Sequence, residues 1–190
     1  MTIQEAIHAR RTVRKFRQEP LTPAQLQSYV DAARVAPSGM NVQPLKYVAI
    51  HSPEMVQQVF PMLKWAGYLA PEYDPKEGER PTAYIVVCAD TTIRKAGWEA
   101  DVGAAVENLM LAALADGVGS CWIGSVDRAA LRQLLNLPEH LTITHVVALG
   151  YAAESPREVA MAEGDVKYYL ENGTLQVPKR ALEDVLISVQ

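Results

Sequence analysis

Cysteine is nearly missing from this 190-residue chain. Cys88 and Cys121 sit inside apolar runs with no metal-ligand spacing between them, which excludes a disulfide scaffold and a zinc module and leaves buried, reduced thiols. The four histidines, His8, His51, His140 and His145, are scattered. The five-residue step from His140 to His145 points them to different faces of a helix, so they make no helical zinc pair. No apolar run is long enough to cross a bilayer, and Met1-Thr2-Ile3-Gln4-Glu5 lacks the basic-then-apolar pattern of a secretory leader. A cytoplasmic protein is expected. The net charge of −4 gives no bulk attraction to nucleic acid. A dinucleotide fingerprint is also missing: Gly117-Val118-Gly119 comes nearest, but Trp122 stands where a third glycine is needed, and the segment follows a helix instead of opening one. Ser38 lacks the flanks of a nucleophile elbow, and no glycine-rich Lys-Ser/Thr loop exists. Hydrolase and triphosphatase chemistry thereby lose their main support.

What is there suits a globular α+β domain spanning 1–190. Hydrophobic residues make up 49% of the chain, enough for a core at this length. Thr2-x-x-Glu5 is a capping box that predicts a helix from Ile3 to near Arg10, and Thr22-Pro23-Ala24-Gln25 starts a second one that stops before Pro37. The runs 46–50 and 83–89 read as buried strands, with Ser52-Pro53 opening a short helix between them. Residues 61–81 carry four prolines and no periodicity, which predicts an irregular, lid-like surface excursion. The longest helix is expected over 98–116. Its small residues Ala104, Ala105, Ala112 and Ala113 suit either a central core helix or a dimer interface. Strands follow at 120–123 and 143–149, with a helix capped by Asp127 between them. A C-terminal helix or arm is expected from about 177. Helices and strands intersperse without a βαβ rhythm, so α+β is preferred to a doubly wound parallel sheet.

Two segments carry candidate chemistry. Five of the eight residues 10–17 are Arg or Lys, a cluster that is either a solvated face or an anion site. Arg10-Arg11-Thr12-Val13-Arg14 offers guanidinium groups and a hydroxyl that can hold a phosphate by charge-assisted hydrogen bonds. In Ala36-Pro37-Ser38-Gly39-Met40-Asn41-Val42-Gln43-Pro44, two prolines stiffen a loop bearing a hydroxyl and two amides. Such a loop is either an ordinary helix-to-strand connection or a contact for something planar and polar.

The order of motifs resembles the nitroreductase-like flavoproteins. Arg10-Arg11-Thr12-Val13-Arg14-x-Phe16 and Ala36-Pro37-Ser38-x-x-Asn41-x-Gln43-Pro44 form the paired N-terminal signature. Asp101-x-Gly103-Ala104-Ala105-x-Glu107-Asn108, Gly117-x-Gly119-Ser120-Cys121-Trp122-Ile123-Gly124, Leu149-Gly150-Tyr151 and Lys179-Arg180 continue it. The segments 61–81 and 152–176 have no clear counterpart. The resemblance implies a central mixed, mostly antiparallel sheet flanked by helices, in a homodimer with FMN at the interface. By position, it gives Arg10, Arg11, Thr12, Arg14 and Arg180, with Lys179 a weaker candidate, to the FMN phosphate and ribityl chain. Pro37, Ser38, Gly39, Asn41 and Gln43 would come from the partner subunit, and Ile123 and Gly124 would present backbone to the ring. Thr12 stands where serine is common and keeps the hydroxyl; Leu45 stands where an aromatic is frequent.

The activity so implied is NAD(P)H oxidation with reduction of a small nitroaromatic, quinone or unsaturated acceptor, NADH or NADPH serving as donor. No catalytic side chain is required, since the flavin carries the reaction. Trp65, Tyr68 and Tyr73 would either stack on an aromatic acceptor or pack the excursion against the core. Two readings compete: a non-turnover FMN-binding carrier or sensor, and a flavin-free scaffold whose basic cluster binds a phosphorylated partner.

Overall fold

A computed structural model describes residues 2–190; Met1, the first residue of the segment read above for a leader, lies outside them. The chain is α+β. Four strands, β1 (Leu45–Ile50), β2 (Ala83–Asp90), β3 (Val118–Ile123) and β4 (Leu141–Tyr151), form a sheet in the order β1-β2-β4-β3, antiparallel at every pairing. The parallel component is a single bridge from Thr12 to Ser120 at the sheet's edge and one pairing in a second, smaller sheet.

All eight residues of β2 are buried, because the sheet has a core on each face. Side chains alternate along a strand, so Ile85 and Val87 pack with Val147 and Leu149 under the helices α2 (Pro23–Arg34) and α4 (Glu99–Ala115). Tyr84, Val86 and Cys88 face the other way, onto Phe16, Val59, Trp65 and Leu131. That second layer is built from α3 (Pro53–Val59), α5 (Arg128–Leu134) and the excursion after α3. A bulge between Val87 and Cys88 leaves Thr144 over; its buried hydroxyl donates to the carbonyl of Val87 at 3.0 Å.

Local signals explain the helix starts. Thr2 and Thr22 each complete the expected capping box, one for α1 (Ile3–Ala9) and one for α2, and Asp127 accepts from the Ala130 amide at 3.0 Å to cap α5. Ser52 makes no such bond, so α3 starts on Pro53 alone. Helix α4 turns Val102, Ala105, Val106, Leu109 and Ala113 to the core and leaves Ala104 and Ala112 half-buried. It is tied to α2 by the Tyr29 hydroxyl donating to Asp116 and by Asn108 donating to the carbonyl of Ala32. Among the described residues, no helix is long and apolar enough to cross a membrane. Both cysteines are free and buried, and burial pushes each thiol up to about 11.

Three departures from the sequence reading stand out. The strand at 141–151 is not the last: β5 (Arg157–Ala160), β6 (Tyr169–Glu171) and β7 (Thr174–Lys179) form a small sheet in the order β5-β7-β6. Of the helix or arm expected at the C-terminus, the helix does not form: residues 182–189 make only a 3-10 turn at Leu182–Asp184, and everything from 181 to 190 is an exposed arm. The 61–81 excursion is pinned to the body of the protein. Trp65 and Tyr73 are buried, Trp65 stacks on Phe60 at 5.5 Å between ring centroids, and the Tyr73 hydroxyl donates to Glu154. Packing against the core is therefore the role of these two rings, while Tyr68 stays exposed against Tyr168.

Candidate functional site

The basic segment lies across the ends of β3 and β4. Its backbone is held by Val13 N to Ser120 O at 2.9 Å, Arg17 N to Tyr151 O at 2.8 Å and Ala153 N to Lys15 O at 2.9 Å. Val13 and Phe16 point into the core, and two glycines make room for them. A Cβ on Gly119 would stand 3.0 Å from Val13, and one on Gly150 would stand 3.0 Å from the Phe16 ring. Close approach of backbone to side chain is what glycine permits at these two positions.

With the apolar side chains turned inward, the cations turn outward, and most meet carboxylates. Arg10 pairs with Glu107 at 3.1 Å, Arg11 with Glu158, and Lys15 with Glu79 at 3.4 Å. Arg14 is different. Its guanidinium lies 4.8 Å over the Tyr168 ring, its Nε is buried without a hydrogen-bond partner, and among the described residues no carboxylate is within salt-bridge distance. Arg10, Arg11, Val13, Gly119, Ser120 and Glu154 line a cleft of about 210 Å³. Thr12 bridges to Ser120 beside it. Lys179 ends β7, next to Ala160 of β5, and the Arg11–Glu158 pair ties that sheet to the basic segment. Lys179 and Arg180 are exposed.

The loop 36–44 is organised by Asp101, which the motif at 101–108 includes but to which sequence reasoning assigned no role. Asp101, buried in the first turn of α4, accepts from the Ser38 hydroxyl at 3.0 Å and the Gly39 amide at 2.9 Å, and meets Arg94 at 3.5 Å. The Ser38 hydroxyl accepts in turn from the Gln43 amide at 2.9 Å, and the Gln43 side chain donates to Asn41 Oδ1 at 3.0 Å. Met40, Asn41 and Gln43 all take left-handed backbone, with φ of 55°, 56° and 54°. Such conformations persist only where surroundings enforce them, and Asp101 anchors the loop beside them through Ser38 and Gly39. Met40 projects into solvent at 97% exposure. Pro37, Ser38 and Gln43 face a cavity of about 350 Å³ shared with Val30, Tyr47 and Asp101. It shares no lining residue with the basic cleft.

Ile123 ends β3 buried, and Gly124 follows it exposed. Arg128 donates to the carbonyls of Gly124 and Thr144 at 3.0 and 2.8 Å and fixes the turn. Leu63 bridges to Val126 and the Lys64 amide donates to Ser125 at 3.0 Å, which brings Lys64 beside Gly124. Nothing in the sequence signals that pairing. His145 stands behind the turn, edge-on to Trp122 at 5.3 Å, with a buried Nδ1 that has no partner. Burial, then the Arg128 charge, lowers its pKa. The unfolded chain therefore takes up this proton first as pH falls, and stability is lost below about pH 6.5. Thermal melts at pH 7.5 and 5.5 are expected to show a lower Tm in acid, with a smaller drop in His145→Gln; an equal drop would remove His145 as its source.

The sequence matches the profile of the Nitroreductase family over residues 7–151. A relative from Archaeoglobus fulgidus, named "Putative NADH dehydrogenase/NAD(P)H nitroreductase", is 34% identical over 152 residues, covering 76% of this chain and 82% of its own. A crystal structure of a protein of that same name from Parabacteroides distasonis superposes with a TM-score of 0.68 at 25% identity, over 90% of this chain and 97% of the other. The FMN-dependent nitroreductase of Clostridium difficile R20291 has the same fold, with a TM-score of 0.70 at 20% identity over 90% of this chain and 99% of the other. Motifs, fold and profile agree, and the chain belongs to the nitroreductase family.

Proposed function

We propose that the protein is an FMN-dependent NAD(P)H oxidoreductase that reduces a small aromatic or unsaturated acceptor, of nitroaromatic or quinone type. The observation that carries this reading is Arg14: a guanidinium with a buried, unpartnered Nε and, among the described residues, no carboxylate within salt-bridge distance, in the same segment as Arg10 and Arg11, which line the cleft at Ser120. Such a group fits an anion such as a phosphate. Arg10 and Arg11 would exchange half-exposed Glu107 and Glu158 for it, and Lys179 and Arg180 would close over it. The relatives' names, which speak of NAD(P)H and FMN, support the same assignment.

FMN, once bound, would supply the hydride chemistry between nicotinamide and acceptor. The chain's own residues bind and orient. Ile123 and Gly124 offer backbone to the ring, and Pro37, Ser38, Gly39, Asn41 and Gln43 of a second subunit complete the site. A homodimer is supported by the separation of the two clefts and by apolar groups left in solvent, including Ile3 at 77%, Ile187 at 100% and Val189 at 86% exposure. The chain works as one unit over 1–190, with 61–81 and the arm from about 177 as its variable parts, and the cytoplasm is its proposed compartment.

An absorbance spectrum of the purified protein, before and after anaerobic addition of NADH and then NADPH, tests the reading. Flavin bands that bleach support it and identify the donor; bands that persist favour a carrier or sensor; no bands after reconstitution with FMN overturn it. Arg10→Ala combined with Arg180→Ala is expected to weaken FMN binding roughly 100-fold, by loss of charge-assisted hydrogen bonds. Unchanged affinity in a fluorescence titration would sink the phosphate assignment.

A further inference from the structure

A cavity of about 740 Å³ opens where β1 ends, α3 begins and the excursion returns to β2. It shares no lining residue with the basic cleft or the loop cleft. Its size falls within the range of small-molecule sites.

The floor is unusual in its chemistry. Arg80 and Thr82 line the cavity in the stretch that leads into β2, Tyr84 follows inside that strand, and each carries a buried polar atom with no hydrogen-bond partner: Arg80 Nε, Thr82 Oγ1 and the Tyr84 hydroxyl. Buried polar groups are nearly always paired, so three within five residues require a reason. Arg80 is held by its face, 4.1 Å over the ring of Phe60, whose other neighbour is Trp65. Among the described residues it has no carboxylate within salt-bridge distance, unlike Lys15 nearby. Burial pushes the Tyr84 phenol up while the Arg80 charge pulls it back, so below the cavity stands a neutral donor within reach of Arg80's field. The Gln18 amide donates to the carbonyls of Phe16 and Arg80 at 3.1 and 3.0 Å, which fixes the backbone that carries the guanidinium.

We propose that this cavity binds a small organic monocarboxylate, its carboxylate on the Arg80 guanidinium and the Thr82 hydroxyl, its apolar body against Pro53, Val56 and Pro81. A guanidinium and an adjacent hydroxyl are the donor set that a carboxylate accepts from. Glu77 also lines the cavity and opposes a second negative charge on the ligand. The site stands apart from the flavin reading and does not depend on it.

Benzoate is the probe. Calorimetric titration into the purified full chain, repeated after saturation with FMN, is expected to show saturable binding with a Kd of about 0.1–1 mM, as befits so few atoms. Flavin absorbance is expected to stay unchanged. Arg80→Met should weaken binding about tenfold or more, and the isosteric Thr82→Val, which keeps the packing, should weaken it severalfold. A cavity that holds only water gives no saturable binding and overturns the proposal. Binding that shifts the flavin bands, or that survives both substitutions, puts the acid elsewhere and overturns it equally.

Discussion

Asp101→Ala is expected to unfold at markedly lower denaturant concentration than the native protein, with a loss of about 2–4 kcal/mol. Two physical terms act together. The carboxylate is buried, so its removal strands the Ser38 hydroxyl, the Gly39 amide and the Arg94 charge that it now satisfies. The loop it holds contains three non-glycine residues with left-handed backbone, each costing about 1 kcal/mol or more, and without the anchor they relax. In a protein of this length, the change corresponds to roughly 5–12 °C in Tm. Asp101→Asn keeps one acceptor and should fall between the two. Flavin retention should drop with the loop, because the proposed partner contacts of Pro37, Ser38 and Asn41 lose their shape. A urea midpoint for Asp101→Ala within error of the native value would show that the loop holds itself.

Phe16→Ala carries the largest expected stability cost, about 3–5 kcal/mol for emptying the site of a fully buried aromatic. Phe16 has no exposed surface, and its backbone amide bonds to Glu79 at 2.9 Å. Gly150→Ala attacks the same contact from the other side and should cost about 1–3 kcal/mol, since the new methyl stands 3.0 Å from the ring, which must shift to make room. The pair makes a sharper test than either alone. Once the ring is gone the methyl has room, so Gly150→Ala in the Phe16→Ala background should cost close to nothing, a coupling of about 1–3 kcal/mol. Additive losses would mean that the glycine is needed for the conformation of β4 and not for the ring. Because Arg14 lies two residues from Phe16, both single variants should also release flavin more readily.

Short-range signals in the sequence translated well into structure. The capping boxes at Thr2 and Thr22 and the apolar runs of β1 and β2 concern neighbours in the chain, and they form as expected. The small sheet of β5, β6 and β7 escaped because β5 and β6 are mostly exposed and lack an apolar face to alternate with a polar one. A signal for it existed: Asn172-Gly173, with φ of 50° and 76°, is the primed turn that joins β6 to β7. At 182–189 the helix alternative misled in the opposite direction. Leu182, Val185, Leu186 and Val189 have helical spacing, but none of them is covered by the chain's own core. A helix that short is unstable without a surface to pack on. At the candidate site, the donors and cations of both motifs were legible, while Asp101 as anchor and Lys64 beside Gly124 were not. Both arise from contacts between residues more than sixty positions apart, for which one sequence carries no mark.

The strand order has a consequence for how the protein comes into being on the ribosome. β2 is the most apolar strand and is buried on both faces, yet its inner neighbour β4 begins at Leu141. The Arg10–Arg17 segment also finds its backbone partners at Ser120, Tyr151 and Ala153. During synthesis both must wait for more than half of the chain, and pairings between such distant segments close slowly. Until β4 emerges, β2 offers one open edge, the type of surface that nascent chains share when they aggregate. A pause in translation before residue 141 should therefore lower the yield of soluble protein more than a pause after residue 151.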